Sequence, residues 1–203
     1  MAFNINNFKN DGLKFGGARA SLFEVTITRP PTVISTTTQF VPQIKFLCQA
    51  ASIPASTVAS FEVPYFGRKI KLAGDRTFAD WNITIMNDED FGIRDFFEEW
   101  SQNLNSNEKN KKLVTNNNYK VADAAVIQYS KTGSAIAAYN FTGIFPTEIS
   151  AMELNWDTTN SVQTFNVTLA YDYYINVRTD RDNSAGSSVT TFPRFIGLGT
   201  PST

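Results

Sequence analysis

Gln163-Thr-Phe-Asn-Val-Thr-Leu-Ala-Tyr-Asp-Tyr-Tyr174 sets Phe165, Val167, Leu169, Tyr171 and Tyr173 on one face of an extended chain and Thr164, Asn166, Thr168, Ala170 and Asp172 on the other. Successive side chains of a strand point to opposite sides, so this alternation predicts a strand with one apolar, buried face. Its length and its share of β-branched and aromatic residues place it at the heart of a sheet.

The same period recurs upstream. In Ser21 to Thr28, Phe23, Val25 and Ile27 alternate with Glu24, Thr26 and Thr28 before Arg29, Pro30 and Pro31 stop the run. Phe40 to Ala50, Val58 to Val63, Arg68 to Ala73 and Trp81 to Asn87 repeat it, punctuated by Ser, Pro, Gly and Asp, which predicts a meander of strands. Further strands are expected near Ala124 to Ser130 and Ala135 to Phe145. One stretch departs from the rule. Ile93, Phe96, Phe97, Trp100 and Leu104 recur at spacings of three and four behind Asp88, Glu89 and Asp90, which predicts an amphipathic helix with acids matched to its dipole.

The expected fold is therefore mainly β, an antiparallel sandwich or barrel with one flanking helix. Its expected core holds Trp81, Ile93, Phe96, Phe97, Trp100, Leu104, Phe165, Val167 and Leu169, with Trp156 as a further anchor. Residues 1–20, polar and Gly-rich, read as an N-terminal arm; 21–175 read as one domain; 176–203 read as a C-terminal extension with a short apolar patch at Phe192, Phe195, Ile196 and Leu198. Both arms are expected to order only on contact with a partner. Asn103 to Asn118, rich in Asn and Lys, is expected to be an exposed loop.

Chemistry is sparse. The chain has no histidine, which removes the commonest general base and metal ligand, so neither a Ser-His nor a Cys-His pair can form. Gly12, Gly16 and Gly17 lack the strand and helix that a dinucleotide-binding loop requires. Asp88, Asp90 and Gly92 mimic a calcium loop with the glycine one place early, and Asp180, Asp182 and Gly186 place it one late. Asp88 beside Glu89 reads as helix-start chemistry before it reads as a hydrolase pair. Cys48, alone in the run Ile44, Phe46, Cys48, reads as a small buried hydrophobe. No catalytic residue, metal or cofactor is expected. Lys and Arg total 18 against 19 Asp and Glu, which leaves no cationic surplus for gripping nucleic acid. No leader or membrane-spanning run is expected, and the Asn-x-Thr triplets at Asn82, Asn140 and Asn166 report Thr-rich strands.

Two stretches carry a specific likeness: Gly67-Arg-Lys-Ile-Lys-Leu-Ala-Gly-Asp-Arg-Thr-Phe-Ala-Asp-Trp-Asn-Ile-Thr-Ile-Met-Asn-Asp-Glu89, and Phe145-Pro-Thr-Glu-Ile-Ser-Ala-Met-Glu-Leu-Asn-Trp-Asp157 continuing to Gln163 through Tyr173. Over roughly residues 20–175 the chain resembles the tail tube proteins of contractile-tailed bacteriophages, whose fold is similar to that of type VI secretion tubes. The resemblance implies hexameric rings stacked into a tube inside a contractile sheath, with a baseplate initiator and a tail terminator as end partners. It implies double-stranded DNA passing through the lumen, assembly in host cytoplasm, residence in the virion, and no membrane partner. Open sheet edges independently favour polymerisation, because a ring that closes sheets across subunits removes them.

Gly74-Asp75-Arg76-Thr77 reads as a tight turn, and Asp75 and Arg76 are expected at a subunit contact. A DNA conduit must not hold phosphates, so its lining is expected to be polar and neutral or acidic, with Asn82, Thr84, Thr164, Asn166, Thr168 and Asp172 as candidates. The competing readings are a single-ring initiator or terminator, a carboxylate-based hydrolase, and a monomeric carbohydrate-binding sandwich.

Overall fold

The computed structural model describes residues 5, 17–28, 41–112, 119–120, 123–157, 159 and 161–178. The predicted arms at 1–20 and 176–203, and residues 113–118 of the Asn-rich loop, lie largely outside them.

Ten strands and two helices are described: β1 (Phe23–Ile27), α1 (Val41–Leu47), β2 (Cys48–Ala51), β3 (Ser56–Tyr65), β4 (Arg68–Phe78), β5 (Trp81–Met86), α2 (Gly92–Leu104), β6 (Ala124–Tyr129), β7 (Ala135–Thr142), β8 (Phe145–Ile149), β9 (Thr164–Ala170) and β10 (Tyr173–Arg178). The fold is mainly β. Two four-stranded sheets, ordered β1-β6-β7-β10 and β2-β5-β9-β8, face each other, and every pairing is antiparallel. Neither sheet closes on itself. The third sheet is the hairpin β3-β4, whose strands pair only with each other. The strands thus form no meander: β2 skips the hairpin to pair with β5, and β5 reaches across the chain to β9.

One core fills the space between the two larger sheets. Val25, Ile27, Val126 and Phe141 from the first sheet meet Trp81, Ile83, Ile85, Phe165, Val167 and Leu169 from the second. Trp81 lies flat on Phe141, ring centroids 4.4 Å apart and 8° from parallel, so aromatic stacking joins the sheets at their centre. Helix α2 brings Ile93, Phe96, Phe97 and Trp100 into the same core, with Leu104 half-buried at its edge. The Trp100 indole N–H donates to the Tyr119 carbonyl at 3.0 Å, which pins the chain beyond the Asn-rich loop to the helix. Asp88, Glu89 and Asp90 lie ahead of the left-handed N-cap Phe91, and Asp95 sits in the first turn, where negative charge suits the dipole.

Several expectations need correction. Phe40 to Ala50 is not one strand; Val41–Leu47 is helical and only Cys48–Ala51 is extended. Ile44 and Cys48, four apart, share the buried face, while Phe46 is 75% exposed, so the apparent alternation was a helical repeat read at period two. Trp156 is no core anchor: it is 100% exposed, on a loop that leaves the sheet after Ile149. Gly74 to Thr77 is not a turn but the interior of β4, with Gly74 and Asp75 facing the single residue Ala59 in a bulge.

Gln163 to Tyr174 is two strands. The break falls at Tyr171 and Asp172, where the chain leaves the second sheet and enters the first. Asp172 donates its N–H to the Thr142 carbonyl at 3.0 Å, and its carboxylate takes two bonds from the Lys120 ammonium at 2.7 and 2.9 Å. Gly143, at φ 75°, makes room: a Cβ there would lie 2.1 Å from the Asp172 Oδ2. A left-handed turn and a missing side chain together fix the corner.

Candidate assembly surface

In the two four-stranded sheets alternation is matched by burial. In the hairpin it is not. Cross-strand pairs Phe61 with Leu72, Val63 with Ile70 and Tyr65 with Arg68 share one face of the ribbon; Ser60 with Ala73, Glu62 with Lys71 and Pro64 with Lys69 share the other. Phe61, Val63, Tyr65, Ile70 and Leu72 are all between 41% and 64% exposed, so the apolar face as well as the polar one meets solvent. A ten-residue strand reaches about 30 Å. Among the described residues the base is held: Phe78 packs against Tyr171 and Tyr174 at 5.9 and 5.3 Å, and Ala79 donates to the Ala55 carbonyl at 3.0 Å. A two-stranded ribbon alone is marginal in water, and an exposed apolar face of this extent is a candidate docking surface.

At the tip Phe66 and Gly67 have φ 44° and 78°, the paired positive values of a two-residue type I′ turn. Asp75 and Arg76 lie near the base, far in sequence from this tip. Arg76 donates to the Ser56 hydroxyl at 2.8 Å across the ribbon, which gives it a place within its own subunit. The exposed apolar residues of the ribbon were missed as a site by sequence reasoning. The available signal was two alternating runs joined by the two residues Phe66 and Gly67, with nothing in either run to distinguish it from a core strand.

The second surface is the outer face of the sheet β2-β5-β9-β8. Asn82, Thr84, Thr164, Asn166 and Thr168 come together there, on the side away from the core. The Thr84 hydroxyl donates to the Asn166 Oδ1 at 2.7 Å, and the Thr168 hydroxyl to the Asn82 Oδ1 at 2.9 Å, so cross-strand partners tie the face into a ladder. The four strands hold no lysine or arginine, and their one charged residue is Glu148. Asp172 does not join this group, because the corner described above draws its carboxylate to Lys120.

Among the described residues no cluster of potential metal-ligating groups competes with these surfaces. Burial pushes the Cys48 thiol up to about 12, against a smaller lowering effect of a hydrogen bond with the Ala50 backbone, which leaves it a neutral and unreactive thiol. Burial, followed by its bond to the Glu24 carboxylate, raises Tyr129 to about 12; Lys45 neutralises the same carboxylate at 2.8 Å. Among the described residues no group of three His, Cys, Asp or Glu side chains is placed to hold a metal ion.

Comparison with known proteins agrees with an assembly role. The family of phage tail tube proteins matches residues 18–177. The tail tube protein gp19 of Enterobacteria phage T4 is 35% identical over 161 residues, covering 77% of this chain and 90% of that protein. Among solved structures, a chain of the sheath/tube terminator of an extracellular contractile injection system in its extended state superposes with a TM-score of 0.56 at 14% identity, over 79% of this chain and 96% of that one. A chain of the sheath-tube complex of such a system gives 0.51 at 14% identity, over 88% and 100%. At such identities the structural matches speak for the fold alone, and the sequence matches decide the family. The chain belongs to the phage tail tube protein family, a family of structural subunits and not of enzymes.

Proposed function

We propose that this chain closes into rings, six subunits each as the family resemblance implies, and that the rings stack into the inner tube of a contractile phage tail. The observation that carries the reading is the β3-β4 hairpin, an amphipathic ribbon whose apolar face is left exposed by the described residues of its own subunit. In a family of tube proteins the natural cover is another copy.

Ring closure has a physical route. Neighbours in the order β2-β5-β9-β8 are antiparallel throughout, so β2 and β8 run in opposite directions. When identical subunits are set side by side around an axis, β8 of one meets β2 of the next in antiparallel sense. A continuous barrel wall then removes two open edges per subunit.

The wall's inner surface is the Asn82, Thr84, Thr164, Asn166 and Thr168 face. Its lack of cations is what a DNA conduit needs, since each lysine or arginine that engages a phosphate adds salt-dependent adhesion, multiplied over stacked rings. Its partners are the sheath outside and initiator and terminator proteins at the ends, and its place is the virion tail.

Electron microscopy of the purified full chain over a range of concentrations tests the assembly. Long tubes are expected; single rings alone would favour an initiator or terminator role, and monomers at every concentration would remove the reading. Asn166→Lys with Thr168→Lys tests the lumen. Tubes should form while genome ejection slows, most at low salt. Unchanged ejection would put this face outside the conduit.

A further inference from the structure

We propose that Phe66 is the anchor of the hairpin, preset in an unfavourable conformation to be buried against a second copy of the chain. This rests on the tube reading above and adds the residue on which subunit docking turns.

Left-handed backbone is uncommon outside glycine, asparagine and aspartate, and a bulky aromatic residue there is an outlier. Type I′ turns are dominated by Asn-Gly and Asp-Gly for that reason. Here the glycine is in place at 67, but the preceding position holds phenylalanine at φ 44°. Phe91 adopts a similar φ of 53°, and there the structure repays it: Phe91 begins α2, accepting the N–H of Asp95 at 2.9 Å. Phe66 starts no helix. Its ring is 90% exposed, and its aromatic contact among the described residues is the edge of Tyr65 at 4.6 Å. A strained, solvated aromatic at the farthest point of a ribbon lowers the stability of the single chain, and burial in a partner is what repays it.

Charge complementarity favours another copy as the partner. Residues 56–78 hold four cations, Arg68, Lys69, Lys71 and Arg76, against Glu62 and Asp75, a surplus of two. The rest of the chain, with 14 cations and 17 carboxylates, carries a deficit of three. The ribbon of one copy is therefore attracted to the body of the next.

Phe66→Asn separates the anchor from the fold, because it installs the preferred Asn-Gly turn. The melting temperature of the monomer is expected to hold or rise by about 2 °C. Sedimentable tube should fall at least about tenfold. Phe66→Leu, apolar but smaller, should retain more tube than Phe66→Asn. Tubes at the wild-type level from Phe66→Asn would overturn the proposal, whether or not sheath binding is lost, since the second copy would then not be the occupant. So would a melting temperature that falls in step with tube yield, because Phe66 would then act through folding. Wild-type protein that forms neither rings nor tubes would instead sink the tube reading itself.

Discussion

The sandwich and the hairpin are written in the same pattern and end in opposite environments. Strand β9 sends Phe165, Val167 and Leu169 into the core, while β3 and β4 send Phe61, Val63, Ile70 and Leu72 into solvent. Alternation fixes which residues share a face; it does not fix what covers that face. In the sandwich the cover is the opposite sheet, reached by pairings such as Trp81 with Leu169. In the hairpin every pairing is local, and no described residue of the subunit closes over the apolar face.

If that division is right, mutations in the two regions should break different things. Trp100→Ala should cost about 3 to 5 kcal/mol in monomer stability, because it empties a fully buried site and strips the Tyr119 carbonyl of its donor. Chemical denaturation of the monomer measures it, and an unchanged midpoint would show that α2 does not belong to the core. Gly143→Ala should cost about 1 to 2 kcal/mol, since it forces a Cβ into left-handed backbone and displaces the Asp172 carboxylate from Lys120. A smaller loss from Lys120→Ala, about 0.5 kcal/mol, would separate the ion pair from the turn.

Ile70→Ser in the hairpin should alter monomer stability by less than about 0.5 kcal/mol and yet reduce tube formation, measured by sedimentation. Equal loss of both would mean that the ribbon's apolar face is covered within its own subunit. The smallest effect is chemical. With its thiol near 12, Cys48 should resist alkylation at pH 8 in native protein and react once the body unfolds, and the Ile70→Ser variant should protect it equally well. Because the thiol ionises more readily in the unfolded chain, its contribution to stability holds below pH 9 and is lost as pH rises toward 12.

Much of the fold could be read from the residues. The three-and-four spacing from Ile93 to Leu104 located α2, and the alternation from Gln163 located β9, because burial on one side leaves that imprint directly. The failures have separate causes. Ile44, Phe46 and Cys48 fit a strand until the helix sets Phe46 outside. Tyr171 and Tyr173 continue the period of β9 across a corner that depends on Gly143, nearly 30 positions earlier. Trp156 was assigned to the core from residue type alone, which says what a side chain gains by burial and not whether anything buries it. For the candidate surfaces, the polar face of β5 and β9 was legible because its residues alternate with core ones. The hairpin was not, because its exposed strands have the same alternating composition as strands of the core.

The hairpin's local pairing also sets a timetable. Contacts between neighbouring segments close in microseconds, whereas β1 must wait for β6, with Thr26 and its partner strand residue Ala125 lying 99 positions apart. During synthesis β3 and β4 leave the ribosome before β6 to β10 exist. The proposed docking arm can therefore pair before the body that would receive it exists, but its base is secured only when Tyr171 and Tyr174 follow. A nascent chain can offer its ribbon but has no completed wall to accept one, so growth by mutual docking begins only when translation has ended.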